Sequence, residues 1–312
     1  MSIYIKNWKK KFAVFIFIYV LIVILAGGIV RTTQSGMGCP DWPTCFGQWI
    51  PPTSVSELPA NYESYLRKQD IDHTFNVYHT WIEAINRYIA ALLGVFAVLQ
   101  CILFYKVKKT YRKVFTTSLL FLALVIITGL FGAIVVRLNL AHLSISVHLL
   151  LALLLLITQL YLLVNAYAIQ PIAITIKSKK ILYLTALIIT IQFVLGTIVR
   201  MHVDDVSKAL QYTNRQLWLV NMPLVFVIHR SFSWLVMGSI MYCYFYFKQT
   251  PFKKYTLVLL LLAVANVTLG VIMYYNNIPA LAQPLHLLLG TMAMAYMVYL
   301  LLITKTQKVA TI

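Results

Sequence analysis

Two histidines in the second half of the chain, His229 and His286, stand within long apolar segments. An ionisable side chain in a bilayer costs roughly 2.5–3.5 kcal/mol on insertion scales, so it is expected to face a partner in the bundle interior. Two neutral imidazoles at similar depth on facing helices suit the axial positions of a haem iron. Zinc would require three or four ligands, and no third histidine or cysteine is expected at this depth. The pair therefore predicts a haem site, with hydrogen-bonded packing of two separate histidines as the alternative.

A similar set of polar residues occurs in the first half of the chain, at His148 and in the stretch YHTWIEAINRYIAAL. Within that stretch Glu83 follows His79 by four residues and precedes Asn86 by three, so all three share one helical face. Asparagine is a poor iron ligand, so an iron held by His148 is either five-coordinate or takes His79 as its second ligand. A vacant position would let the iron bind oxygen, whereas six-coordinate iron mostly transfers electrons. For Glu83, the alternative to lining this site is a simple ion pair with Arg87 at i+4.

Four arginines are candidates for binding the two propionates of a haem, because guanidinium groups suit carboxylate recognition. Arg31 and Arg200 end the first and fifth apolar segments, and Arg87 and Arg230 fall within the second and sixth. Snorkelling of a long cationic side chain to the membrane interface explains an arginine at a helix end almost as well. Both interpretations stay open on sequence grounds.

Eight apolar segments must position these residues, since a helix that spans a bilayer needs about 20 mostly apolar residues. The chain has 312 residues, of which 61% are hydrophobic and 11% are charged, as in integral membrane proteins. The sequence therefore predicts an all-α integral membrane protein with eight transmembrane helices. The segments cover residues 12–30, 79–105, 114–136, 144–165, 181–200, 222–247, 255–275 and 284–303.

The net charge of +18 indicates membrane topology rather than nucleic-acid binding. Seventeen of the 26 lysines and arginines lie in the two termini and in three short loops, 106–113, 166–180 and 248–254. The positive-inside rule places these parts, including both termini, in the cytoplasm. Glu83 is the only acidic residue within a predicted span. We expect a multi-pass protein of the cell (inner) membrane, with haem sites toward the outer face and no nucleic-acid partner.

The predicted outer loop, residues 31–78, contains Cys39 and Cys45 within the sequence GMGCPDWPTCFGQWIPP. The outer compartment permits oxidation, and five intervening residues with two prolines are compatible with a compact turn closed by a disulfide. Two free thiols or a surface metal site are the alternatives.

The two halves of the chain repeat one another. The first and fifth segments end in GGIVR and GTIVR. VHLLLA matches LHLLLG at an offset of 138 residues, so His148 corresponds to His286. EAINR matches FVIHR, so Asn86 corresponds to His229. Because four spans separate the repeats, both have the same orientation. The sequence predicts two pseudo-symmetric four-helix bundles, covering residues 1–170 and 171–312.

These motifs together resemble the heme A synthase family over nearly the whole chain. The most specific part is the loop GGIVRTTQSGMGCPDWPTCFGQWIPP, joined by the E-x-x-[HN]-R helix, VHLLLA, IHR and QPLHLLLG. The resemblance implies oxidation of one methyl group of haem O to a formyl group, by successive hydroxylations, which gives haem A. It implies a b-type haem held by His229 and His286 in the second unit. In the first unit it implies haem O bound at His148, with Glu83 as the catalytic residue. This chain departs from the family pattern at Asn86, where the pattern has histidine.

Two other functions fit parts of the pattern. A diheme electron carrier of cytochrome b type would have two equivalent six-coordinate sites, against which the asparagine in the first unit argues. A transporter built from repeats would place polar groups at mid-membrane, whereas those of this chain lie toward one face. The expected partners of a heme A synthase are haem O, an unidentified membrane electron donor and, from the order of the pathway, the haem O synthase (protohaem farnesyltransferase).

Overall fold

A computed structural model describes residues 5–67 and 74–307 of the chain. In this part of the chain, eight helices are long and apolar enough to cross a membrane, which confirms the all-α membrane fold class. The predicted outer loop, 31–78, includes residues 68–73, which lie outside the described residues. The helices are α1 (Asn7–Thr32), the short α2 (Tyr62–Leu66), α3 (Val77–Tyr105), α4 (Arg112–Arg137), α5 (His142–Ala166), α6 (Ile176–Ala209), α7 (Leu224–Phe247), α8 (Lys253–Tyr275) and α9 (Ala282–Leu302).

The first compact unit, Met1–Tyr167, is a closed four-helix bundle. Helices α1, α3, α4 and α5 pack in a ring in which α1 contacts both α3 and α5. Polar groups join these helices in the apolar interior. The side-chain amides of Gln100 and Gln159 exchange two hydrogen bonds of 3.0 and 2.8 Å, and Gln159 also donates to the carbonyl of Ala13 at 2.9 Å. Both glutamines are fully buried, so the amide pair connects α1, α3 and α5.

The second compact unit, Ala168–Ile312, is likewise a closed bundle, in which α6 contacts both α7 and α9, and α8 lies between those two. Two short parallel strands, β1 (Ile172–Ile174) and β2 (Thr304–Thr306), tie the start of this unit to its end, with Ile172 opposite Thr304. Lys179 donates to the carbonyls of Leu301 and Thr304 at 2.9 and 2.8 Å. These carbonyls belong to the last turn of α9 and the residues after it, so the lysine caps that helix.

In each bundle, fully buried side chains occur in some stretches of the helices and not in others. In the second unit, fully buried side chains occur in one part of every helix, for example at Leu182, Ile240, Leu259 and Leu300. No residue is fully buried in the facing stretches 190–202, 224–235, 264–275 and 285–290. In the first unit the same holds for the stretches 129–137 of α4 and 145–152 of α5. These stretches, which we call the site halves, contain His148, His229 and His286.

The end of α6 differs from the sequence prediction, which ended the fifth helix at Arg200. The helix continues nine residues further, to Ala209. An i,i+4 ion pair of 3.1 Å between Arg200 and Asp204 stabilises the extra turns. Val203 is buried in a cluster with Trp218 and Ile278, which gives the extension an apolar contact. Arg200 therefore lies within a helix, whereas Arg31 does lie in the last turn of its helix, α1.

Candidate functional site

The loop that follows α1 packs directly on the first turns of α3. Its closest approach is at Gly38, where a Cβ atom would lie only 2.3 Å from the carbonyl carbon and oxygen of His79. The carbonyl of Gly38 also accepts a hydrogen bond of 2.9 Å from the hydroxyl of Thr80. The absence of a side chain at Gly38 is thus what allows the loop to approach the helix this closely. The disulfide predicted between Cys39 and Cys45 is present directly after this contact.

The carboxylate of Glu83 lies at the interface between α3 and this loop. Its side chain is 4% exposed. One oxygen, Oε2, accepts a hydrogen bond of 2.8 Å from the backbone N–H of Cys39. The other, Oε1, accepts from Arg87 at 2.5 Å, the i+4 pairing that the sequence spacing allowed. Both oxygens are therefore held by fixed donors.

The guanidinium of Arg87 binds the loop as well as Glu83. It donates to the backbone carbonyls of Asp41, Thr44 and Cys39 at 2.6, 2.9 and 2.9 Å. A planar guanidinium presents several donors in a rigid fork, which suits this set of acceptors. The sequence prediction of Arg87 as a propionate contact did not anticipate this arrangement, and we leave Arg87 out of the propionate contacts proposed below.

Asp41 shapes the loop that Arg87 binds. Its carboxylate accepts hydrogen bonds from the backbone N–H groups of Phe46 and Gly47 at 2.6 and 2.9 Å, and a further one from the hydroxyl of Thr44. Sequence reasoning missed this residue. The available signal was its position at the start of a Pro- and Gly-containing turn, where an aspartate commonly accepts bonds from nearby backbone N–H groups.

His148 is the histidine of the first unit's site half. Its ring stacks on Phe131 with a centroid distance of 6.3 Å and an interplanar angle of 18°. A Cβ atom on Gly132 would lie 3.7 Å from its Cε1 atom. The buried Nδ1 atom of His148 has no hydrogen-bond partner among the described residues.

The second unit places two histidines in its site half. A Cβ on Gly196 would lie 3.2 Å from Cε1 of His229, and a Cβ on Gly270 would lie 3.4 Å from Cε1 of His286. Each imidazole therefore occupies space that a neighbouring helix leaves open by carrying glycine. Nδ1 of His286 is 3.0 Å from the backbone carbonyl of Asn266. A ring N–H donated there leaves Nε2 unprotonated, which is the form that binds a metal.

Fewer of the polar atoms around His229 than around His286 have a hydrogen-bond partner among the described residues. Its carbonyl accepts a hydrogen bond of 3.1 Å from the side-chain amide of Gln192. The other amide atom of Gln192, Oε1, and Nδ1 of His229 are both buried without a hydrogen-bond partner in residues 5–67 and 74–307. Gln192 precedes Gly196 by one turn of α6, so both residues lie on the face toward His229.

The remaining predicted arginines differ in their surroundings. Arg200 donates to the side-chain oxygen of Gln283, which precedes His286 by three residues and so lies about one turn from it. Arg230 lies over the rings of Phe226 and Tyr274, with distances of 6.0 and 5.3 Å from its guanidinium carbon to the ring centroids. Such contacts are favourable cation–π interactions. Arg230 directly follows the candidate ligand His229 in α7, and Arg200 contacts the residue one turn before His286.

The residues present fit a haem in each unit. Interior space enclosed by helices, an imidazole facing that space and small residues opposite it are what a porphyrin in a four-helix bundle requires. Nδ1 of His148 and Nδ1 of His229 have no hydrogen-bond partner among the described residues, and Nδ1 of His286 contacts a backbone carbonyl. The three rings are therefore held by packing and not by hydrogen bonds to one another. Of the candidate iron ligands, His229 and His286 lie in the site half of the second unit and His148 lies in that of the first.

The comparison with known families agrees with this arrangement. The family of cytochrome oxidase assembly proteins named COX15-CtaA matches residues 10–298. The chain belongs to this family. It is similar to the heme A synthase of Ehrlichia canis, with 24% identity over 93% of this chain and 91% of that protein. It is also similar to the heme A synthase of Shewanella oneidensis, with 32% identity over 43% of this chain and 38% of that protein.

Proposed function

We propose that this chain is a heme A synthase, which oxidises one methyl group of haem O to a formyl group. The observation that carries the proposal is the buried carboxylate of Glu83 on α3, at a position where the second unit has Phe226. A carrier of electrons between two equivalent haems would have no use for this group. The relatives named heme A synthase, two of them aligned over nine-tenths of the chain, support the same function.

In the second unit, His229 and His286 would hold a b-type haem. When bound, this haem supplies one-electron transfer. The carbonyl of Asn266 orients the imidazole of His286 and fixes its tautomer, because ligating histidines generally donate their other ring N–H to a nearby acceptor. Arg200, together with Arg31 and Arg230, is a candidate to bind haem propionates. An unidentified donor in the membrane provides the electrons that this haem accepts.

In the first unit, His148 holds the iron of the substrate haem O. The conversion requires two successive hydroxylations, from methyl to hydroxymethyl and then to a hydrated aldehyde that loses water. Each hydroxylation removes two electrons from the substrate carbon, so the reaction also requires an oxidant and a source of oxygen from outside the chain. Glu83 stabilises positive charge that develops at the reacting carbon, since a fixed carboxylate in a dry site stabilises such charge strongly. Its two oxygens are engaged by Cys39 and Arg87, and this rigidity favours the electrostatic role over that of a mobile proton carrier.

We place the protein in the cell (inner) membrane with both termini inside, so that both haem sites lie toward the outer face. The basic residues of the inner loops support this orientation. Haem O reaches the first unit from the enzyme that makes it, so a contact with the haem O synthase follows from the order of the two reactions.

The proposal is tested by expressing the chain with a source of haem O and chromatographing the extracted haems. We expect haem A from the wild-type protein and only haem O from Glu83→Ala, with the low-spin b-haem spectrum retained in both. His286→Ala should lose that spectrum, whereas His202→Ala, a histidine of α6 outside the proposed ligand set, should keep it. Normal haem A yield from Glu83→Ala would remove the carboxylate from the mechanism, and an unchanged spectrum in His286→Ala would refute the ligand assignment.

A further inference from the structure

We propose that the first unit contains a binding site for a small exogenous ligand of the substrate iron, formed by Gly27 and the carboxamide of Asn86. The ligand class is a neutral or anionic lone-pair donor no larger than an imidazole, such as water. This inference rests on the proposed function and adds to it the identity of the second axial group, which a side chain of the protein does not supply.

In the second unit, an imidazole occupies the position that corresponds to Asn86. There the imidazole of His229 lies against α6 so closely that a Cβ on Gly196 would be 3.2 Å from its Cε1 atom. That distance is shorter than an ordinary van der Waals contact, so the glycine is needed to make room for the ring. The pair consists of a glycine on the first helix of the unit and an imidazole on the second.

In the first unit the same two positions are Gly27 and Asn86, from the matches of GGIVR with GTIVR and of EAINR with FVIHR. A Cβ built on Gly27 meets no heavy atom within 4 Å in the described part of the chain. Replacing the ring by the shorter side chain of asparagine has therefore left space beside α1. The space beside Gly27 is therefore open, whereas the space beside Gly196 holds the imidazole of His229.

This space lies inside the bundle, not on the lipid side. Gly27 follows Val20 by seven residues and Ile24 by three, and it precedes Val30 by three, so it shares a helical stripe with all of them. Those three residues are 1%, 5% and 8% exposed. Gly27 is nevertheless exposed. A residue on the buried stripe that remains accessible must face interior space, which is where the ligand binds.

His79 does not supply the missing axial ligand. It precedes Asn86 by seven residues, which places it about 10 Å further along the helix axis at about 1.5 Å per residue. Its backbone is fixed there, because Gly38 packs against its carbonyl group and Asn76 accepts a hydrogen bond of 3.3 Å from its N–H. The helix would have to shift by two turns for this imidazole to take the place of the one at His229.

Asn86 provides the polar group that holds the ligand. Its carboxamide is half-buried and forms no hydrogen bond with another residue in 5–67 or 74–307. The carboxamide has two N–H donors and an acceptor oxygen, so it can donate to an anion or exchange hydrogen bonds with water. An apolar residue at this position would leave such a ligand without a partner.

The test uses the full-length protein purified with haem O, with imidazole and cyanide as probes. We expect the wild-type protein to contain a low-spin b haem and a high-spin haem O in its electron paramagnetic resonance spectrum. Imidazole should convert only the high-spin signal to low spin. Asn86→His should be low-spin without any addition. Gly27→Leu should keep haem O but bind imidazole at least tenfold more weakly, while Gly238→Leu, on the face of α7 that also carries the exposed Trp234 and Tyr242, should bind it like wild type.

Retention of haem O reports that the first unit of each variant is folded, and the b-haem spectrum reports the same for the second unit, so a loss of imidazole binding is not confused with misfolding. Wild-type protein that retains haem O in a low-spin form, unresponsive to imidazole, would overturn the ligand site while leaving the proposed function in place. If that signal became high-spin in His79→Ala, His79 would be the ligand instead. Wild-type protein that retains the b haem but never binds haem O would overturn the proposed function, and the ligand site with it.

Discussion

The contact between Gly38 and α3 gives a direct test of how closely the loop must approach Glu83. In Gly38→Ala, the new Cβ would lie 2.3 Å from the carbonyl carbon and oxygen of His79 and 2.6 Å from the backbone nitrogen of Thr80. These neighbours are main-chain atoms of a helix, so they cannot rotate away. Ordinary contact begins at 3.4 Å, and the loop must therefore move away from the helix by about 1 Å.

The displacement acts directly on the Glu83 carboxylate, because Cys39 is the residue next to Gly38. The hydrogen bond from Cys39 N–H to Glu83 is 2.8 Å long, and a shift of this size takes it beyond hydrogen-bonding distance. A hydrogen bond to a charged group contributes about 1.5–3 kcal/mol. A misplacement of about 1 Å at a reacting centre can cost about a hundredfold in rate. We therefore expect Gly38→Ala to lower haem A formation by about two orders of magnitude.

The assay is the ratio of haem A to haem O in extracts of purified protein, normalised to the b haem of the second unit. Gly238→Ala on α7 is the control, because a Cβ at that position meets no atom within 4 Å and the residue lies outside the site halves. It should form haem A at the wild-type rate. Wild-type haem A formation by Gly38→Ala would show that the position of the loop does not matter for Glu83. Loss of the b haem in Gly38→Ala would show a global defect and would equally refute the local argument.

Three further predictions concern polar groups that stabilise the first or the second bundle internally. Arg87→Lys keeps the charge but lacks the planar guanidinium that donates to three loop carbonyls. The loop should therefore be cut faster by protease, and haem A formation should fall at least about tenfold. Gln159→Leu leaves the buried amide of Gln100 unpaired and should destabilise the first unit by about 1 kcal/mol in thermal inactivation, and the double variant Gln100→Leu/Gln159→Leu should recover part of this loss. Lys179→Met removes three hydrogen bonds around the end of α9 and should lower the free energy of unfolding by about 1–3 kcal/mol, observed as a lower Tm, without changing haem content.

The helices could be predicted from the sequence because each span is a long apolar run between polar or basic segments. The exception was the end of α6, where the polar sequence MHVDDVSKA follows Arg200. Hydropathy ends a helix there, but helix formation depends on contacts as well as on apolarity. The ion pair with Asp204 and the burial of Val203 against Trp218 continue the helix, and the second of these contacts comes from a residue distant in the sequence.

The candidate site could be predicted only in part. Helical periodicity placed Glu83, Asn86 and Arg87 close together, since residues three and four apart share a face. It could not show that the other hydrogen-bond partner of Glu83 is the backbone N–H of Cys39. Cys39 is 44 residues away, and a contact made by the backbone leaves no pattern of residue types in the sequence. A cysteine pair in the sequence predicts a disulfide, but it does not predict that the disulfide-closed loop packs on α3.

The differences between the two units explain how one repeated design performs two tasks. Glu83 and Arg87 of EAINR correspond to Phe226 and Arg230 of FVIHR, and in both units the arginine contacts the residue four positions before it. In the first unit the contact is an ion pair that fixes a carboxylate, and in the second it is a cation–π contact with no acid. The position between them holds Asn86 in the first unit and His229 in the second. The first unit therefore has a carboxylate and one fewer imidazole, which suits chemistry on a substrate, whereas the second has a full imidazole pair and no acid, which suits electron transfer. Replacing EAINR of the first unit by FVIHR, with the second unit unchanged, should remove haem A formation and leave a protein that binds two low-spin haems.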